Sequence, residues 1–362
     1  MSRTHVPRHL FRPVSPGTSP PQNVSARARC LLRVLLAVTC VAGYAPVSAQ
    51  SLEPDPGFNK GARTSLQFLK IGMGARQSAL GEASIALVRD VNAVFWNPAN
   101  VSGIERGEIS FSYVRWLADL NYAAGAAAYR LGTLGIVAGY VGSLDYGSIP
   151  EALATSQGGG NDTRTGNMVS GGDLIAGLTF AREFTDRLSI GISAKYLRET
   201  LWDYDASTVA FDVGTNYDLG YKGLRLAMSA QNFGGAVEYL SEGSQAEAFD
   251  VPIVFRIGLS ANLASGGESA LVDLGPAHRI RFGLEAINTN DFSERLHVGG
   301  EYLFGDLLAL RGGYRFNYAE GNLALGFGIS PSIGELEARI DYSYVQYDFL
   351  NTPHRLSLTL AL

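Results

Sequence analysis

Three histidines stand beyond residue 50, His278, His297 and His354, and they are the first residues to test for chemistry. A histidine base needs a nucleophile within reach and an acid to orient it. No Ser or carboxylate stands at a telling spacing from His297, so no catalytic residue is assigned and no enzyme activity is expected. Gly72-Met73-Gly74 begins like a phosphate loop, but Gln77 occupies the third glycine's place and no βαβ unit surrounds it. No His, Cys, Asp or Glu cluster has metal-ligand spacing, and no cofactor is expected. What remains is a set of charges on the polar sides of alternating segments: Arg256, Arg279, Arg281, Glu285, Arg295, Glu301, Arg311, Arg315, Glu337, Arg339 and Asp341. Its signs are mixed. Such a set either forms an ion-pair network that satisfies a polar interior or lines a selective passage, and the sequence leaves both open.

The elements that must position these charges are strands. In LEARIDYSY, Leu336, Ala338, Ile340, Tyr342 and Tyr344 fall on one face, while Glu337, Arg339, Asp341 and Ser343 fall on the other. The same period of two sets Ile280, Phe282 and Leu284 against Arg279, Arg281 and Glu285, and sets Leu308, Leu310, Tyr314 and Phe316 against Arg311 and Arg315. About fourteen such segments of about 8 to 12 residues follow Glu108. They start near 108, 122, 133, 173, 188, 206, 224, 251, 277, 293, 307, 321, 336 and 353. An even number of short amphipathic strands, charged residues at only 17%, 43 glycines and a 10% aromatic share predict an antiparallel outer-membrane β-barrel over 108–362.

If the first strand rises from the periplasm, the two long connections at about 144–172 and 233–250 lie outside the cell, as long connections should. The stretch 263–276 departs from this rule as a long periplasmic turn. Aromatic belts are expected at both rims. Tyr113, Trp116, Tyr140, Tyr196, Tyr314, Tyr318, Tyr344 and Tyr347 fall near the outer one, and Tyr129, Phe180, Tyr217, Tyr302 and Phe304 near the inner.

Residues 1–49 carry six arginines and no acid, and Arg27, Arg29 and Arg33 precede the apolar run VLLAVTCVAGYAPV. The run ends at Val47-Ser48-Ala49, which reads as a secretory signal cleaved after Ala49. Both cysteines, Cys30 and Cys40, would leave with it, and the formal charge would move from −5 to about −11. That balance argues against a nucleic-acid partner.

Residues 50–107 are left over at the periplasmic end. The stretch 75–89 reads as a helix too short to span, and strands two, three and twelve offer it an inner wall of Ala and Gly, so it is expected to enter the lumen as a plug. Within AVFWNPAN, Trp96, Asn97 and Pro98 would by themselves be a helix stop. The longer stretch FLKIGMGARQSALGEASIALVRDVNAVFWNPANV, residues 68–101, resembles the N-terminal signature of the PorV/PorQ family, itself similar to the FadL-type fatty-acid transport barrels. The matching positions are Gly74, Ala75, Arg76, Gly81, Asp90, Trp96, Asn97, Pro98 and Ala99. The resemblance implies a fourteen-stranded barrel with an N-terminal plug, and makes Trp96–Ala99 a plug hinge. It also implies a PorV-like role in a type IX secretion pathway, docking exported cargo by its C-terminal domain and passing it to secretion-machinery proteins. The alternative is a FadL-like channel for long-chain fatty acids or other hydrophobic ligands. Outer-membrane lipid is a partner under either. The chain departs from the usual barrel pattern in closing on Leu362 rather than on an aromatic residue.

Overall fold

The computed structural model describes residues 64–152, 164–239, 248–267, 270–334 and 336–362. The expected signal 1–49, its cleavage site and residues 50–63 of the plug segment lie outside the described residues.

Alternating residues build a closed wall of fourteen antiparallel strands. Seven form the first half: β1 (Gly107–Arg115), β2 (Asn121–Arg130), β3 (Ile136–Ala152), β4 (Arg164–Glu183), β5 (Leu188–Leu201), β6 (Tyr204–Asp218) and β7 (Arg225–Gly234). The second half is β8 (Val254–Ser265), β9 (His278–Thr289), β10 (Arg295–Phe304), β11 (Leu308–Phe316), β12 (Leu323–Ile329), β13 (Leu336–Val345) and β14 (His354–Ala361). Each pairs with its sequence neighbours, β7 with β8 joins the halves, and β1 with β14 closes the ring. Closure leaves no open sheet edge, which hydrocarbon would not solvate. Ile109, Phe111 and Leu178 point outward and are more than half exposed, as lipid-facing residues are. On the inner side of the closing seam, Ser112 and Ser357 hydroxyls bond at 2.8 Å.

Turns at one rim are short, such as those after β2, β4 and β10; in outer-membrane barrels that rim faces the periplasm. At the opposite rim the expected loop 144–172 proves to be mostly strand. β3 runs on to Ala152 and β4 begins at Arg164, with register shifts at Asp145/Ser148 and Pro150/Ala152 absorbing the irregular residues. At 20 residues, β4 is about twice the length that crosses a membrane, so β3 to β6 form a tall side. The long turn 263–276 folds back on the wall: Val272–Asp273 pairs in parallel with Ala264 and Ser265.

The belt expectation needs correction at four outer residues. Tyr140 is buried in the lumen, edge-on to Phe95 with ring centroids 5.0 Å apart. Trp116 packs against Tyr347, and Tyr318 against His297, on the inner side as well. Parity gives the reason for Tyr140: it shares a face with the buried Ile136 and Ala138, while Val137 and Val141 face lipid.

Residues 64–106 thread the barrel from the tall end to the short-turn end. Thr64 bridges to Asp250 and bonds Asp291 at the tall rim, whereas Ser102 and Ile104 carbonyls accept from Arg130 near the other. The helix expected over 75–89 is only α1, Ala75–Ala79. Gly81 and Glu82 adopt positive φ and turn the chain away, because the backbone at Gly81 lies directly on β11. The plug's other short helices are 3-10 segments at Gln67–Lys70, Val91–Phe95 and Pro98–Gly103. α1 lies on β11 to β14, Val91–Phe95 on β1 to β3, and Pro98–Gly103 on β3 to β6. The inner wall of strands two and three therefore receives the second segment rather than the helix.

Candidate functional site

Small residues bring plug and wall together. At Gly299 and Gly313 an added Cβ would overlap the backbone of Leu80 and Gly81, and at Gly191 and Gly214 it would overlap Pro98–Ala99 and the Asn97 side chain. Gly74 begins α1 at a φ of 89°, and the Ala75 amide donates to Ser357 Oγ of β14 at 2.8 Å. Trp96 donates its indole N–H to the Met73 carbonyl at 2.7 Å and lies under the Arg256 guanidinium. Asn97 caps the following turn through the Ala99 amide and donates to the Thr215 carbonyl of β6, with Pro98 at the first position of that turn. Trp96 to Ala99 thus ends one turn, starts the next and ties both to the wall.

Charges from the wall grip this plug. Arg76 presents a bidentate fork to Glu301 of β10 at 3.0 and 3.1 Å, and Arg281 and Arg311 reach the same carboxylate. Arg311 continues to Asp341 at 2.7 Å, Arg339 joins Asp341 to Asp90, and Asp90 also caps Val91–Phe95 through the Asn92 amide. A second group pairs Arg315 with Glu82 at 3.0 Å and Arg256 with Glu285 at 2.8 Å, while Glu285 accepts from the Ser84 and Ile85 amides. Charge-assisted bonds of this kind fix geometry, and Glu301, Asp341, Asp90 and Glu285 are engaged on both oxygens. Three of the sequence-selected charges stay apart: Arg279 pairs with Asp306 at the short-turn rim, Arg295 lies over Phe292 and Tyr318, and Glu337 is exposed. Lys195, buried against Asp212 at 2.7 Å, also belongs to the interior. Its parity on β5, between outward Ala194 and Tyr196, is the signal that would have found it.

At the tall end Lys70 bonds Asp291 in the β9–β10 connection at 2.5 Å. Burial would raise the Asp291 carboxyl, but the hydrogen bond and charge of Lys70 outweigh it and hold it below its ordinary value. Burial lowers the Lys70 ammonium in spite of Asp291. The pair therefore gains at the carboxylate and loses at the ammonium.

Beside this tether opens a cavity of about 380 Å³ between the plug and the top of β1 to β3, walled by Phe68, Ile71, Trp116, Leu120, Leu144 and Tyr146, with Gln67 and Lys70 at its edge. Its lining is mainly apolar. Below it, Lys70 and Ile71 also bound a narrow seam of about 30 Å³ among Met73, Phe95, Trp96 and Tyr140, room for a water or two. Tyr140 and Lys195 separate that seam from a groove of about 770 Å³ on the lipid side, floored by Gly125, Ala127, Gly139 and Ala176. Every pair of neighbouring strands here remains hydrogen bonded.

A closed, internally plugged fourteen-strand barrel with a lipid-facing exterior defines an outer-membrane type of protein. The toluene transporter TodX of Pseudomonas putida is similar, with a TM-score of 0.50 and 13% identity, over 80% of this chain and 97% of that one. The CymD monoaromatic hydrocarbon channel matches at 0.49 and 12%, over 80% and 96%. A Pseudomonas aeruginosa FadL homologue matches at 0.48 and 10%, over 79% and 97%. The fold is thus shared with the TodX barrel. No family model matches the chain, and no curated protein matches it in sequence.

Proposed function

We propose that this protein is an outer-membrane channel for small hydrophobic compounds, taken up at the tall end and passed along the plug toward the wall of β2 to β5. The mouth cavity carries this reading. An enclosed apolar cavity of about 150 Å³ suffices to hold benzene, and this larger one, open to the outside, has six apolar or aromatic walls and few polar groups to satisfy. The seam beneath it mixes Met73, Phe95 and Trp96 with Lys195, Gln231 and Arg256, and Phe95 meets Tyr140 there edge-on. The shared fold with a toluene transporter supports the same reading. Uptake of labelled toluene by cells lacking their own such channels tests it, because the lipopolysaccharide leaflet is then the barrier. Expression of the protein should raise uptake. Leu120→Glu, which places a carboxylate in the cavity, should lower it about tenfold or more, while Leu120→Met should keep it. No gain over the empty strain would sink the proposal.

A second reading, docking of exported cargo in a type IX-like pathway, draws support from the resemblance of residues 68–101 and from the tall side. There Ile149, Met168, Trp202 and Tyr204 are exposed beyond the length that a membrane covers. It explains the projecting sheet but gives the mouth cavity no task, so we favour the channel.

A further inference from the structure

A second cavity, of about 520 Å³, opens at the short-turn end between the lower plug and β7 to β9. Arg76, Arg89, Arg225, Arg279 and Arg281 all line it, and among the described residues neither Asp nor Glu does. Their counter-charges stand behind the lining. Glu301 holds Arg76 and Arg281, Glu183 holds Arg89 at 3.0 Å, Asp218 holds Arg225 at 3.0 Å, and Asp306 holds Arg279 at 3.1 Å. A guanidinium has five N–H donors and a carboxylate engages one or two of them. The buried Glu301 therefore fixes the forks of Arg76 and Arg281, the more exposed acids lie beside the other three, and donors remain for the cavity. Planar forks converging on one space suit a tetrahedral or planar oxyanion. The Ser260 hydroxyl, in the lining beside Asn262 and Ser265, donates to the Ala86 carbonyl, and the guanidinium groups supply the charge.

We propose that this short-turn vestibule binds a multiply charged oxyanion of the phosphate class. The site is separate from the hydrophobic mouth at the other end of the plug, and it stands whether or not the channel reading does. Free phosphates and phosphorylated lipid headgroups share the chemistry, so both are tested. The protein in zwitterionic detergent at low salt is titrated calorimetrically with inorganic pyrophosphate and, separately, with dihexanoyl phosphatidic acid. Arg225→Gln/Arg279→Gln should weaken the tighter probe by about tenfold or more, and the matching double lysine variant should retain most of the affinity. Arg198→Gln, at the tall end and paired with exposed Asp205, should change nothing. Should the glutamine pair not fold, the wild type still decides: phenylglyoxal should modify Arg225 and Arg279, and the bound probe should protect them. Tighter pyrophosphate would assign a soluble ligand, and tighter phosphatidic acid a lipid headgroup. Equal affinity in wild type and a folded glutamine pair, absent protection, or binding of polyglutamate but neither phosphate probe would overturn the proposal.

Discussion

Glu301 shows what a single residue does in this lumen. Its carboxylate is fully buried and accepts from three guanidinium groups, one of the plug and two of the wall. Glu301→Gln would leave Arg76, Arg281 and Arg311 with one fewer charge among them, and removing one partner of a buried pair costs about 3 to 5 kcal/mol. The barrel's strand pairing does not depend on that carboxylate, so the expected result is selective. Heat-dependent gel migration should still report a barrel, with a lower transition temperature, while limited proteolysis should cut the plug faster than in wild type. An unchanged transition and unchanged proteolysis would show that the ion pairs add nothing to plug retention. Strand parity exposed the wall charges Arg281, Glu301 and Arg311, and the motif of residues 68–101 exposed Arg76. Neither showed which of them meet, because Arg76 and Glu301 are 225 positions apart and only the closed ring brings them together.

At the scale of elements, neighbouring residues of one strand meet different solvents. Ile340 of β13 is 38% exposed toward lipid, whereas Arg339 faces inward to Asp90 and Asp341. Ile340→Arg should hinder insertion by about 2 to 4 kcal/mol near the midplane. Arg339→Leu should let the barrel form but release one link between plug and wall, seen as faster proteolysis of the plug at unchanged barrel migration. Equal loss of folded barrel in both variants would contradict the assignment of faces. Strand starts were legible to within three residues almost everywhere, since a membrane wall enforces period two. The exception is β4, expected near 173 and found at Arg164, where Gly166 and polar residues leave no apolar face to read. The plug was less legible. Its Gly, Ala and Ser pattern looks helical in sequence, yet these small residues serve close approach to the wall at Gly299 and Gly313 rather than a helix beyond Ala79. Those inward glycines were the unread signal, for a glycine on a lumen face has no reason to be small unless something lies on it.

Taken whole, the molecule separates three tasks along its axis. The tall end holds an apolar cavity and a projecting sheet, in the middle ion pairs join plug and wall, and the short-turn end opens into an arginine-lined vestibule. The mouth cavity is bounded by Leu144 and Tyr146, below the part of β3 and β4 that projects farthest. The two proposed functions therefore depend on different parts of the same hairpin. Replacing residues 151–167 by a short turn removes the projection and leaves the cavity walls, so a channel should keep toluene uptake within about a factor of two of wild type, since no lining contact is lost. A docking barrel should form normally and lose crosslinks to exported cargo. Loss of crosslinks with no hydrocarbon uptake before or after the replacement would assign the tall side to cargo. Uptake that survives it, with no crosslink in either protein, would place the function in the plug and the mouth cavity.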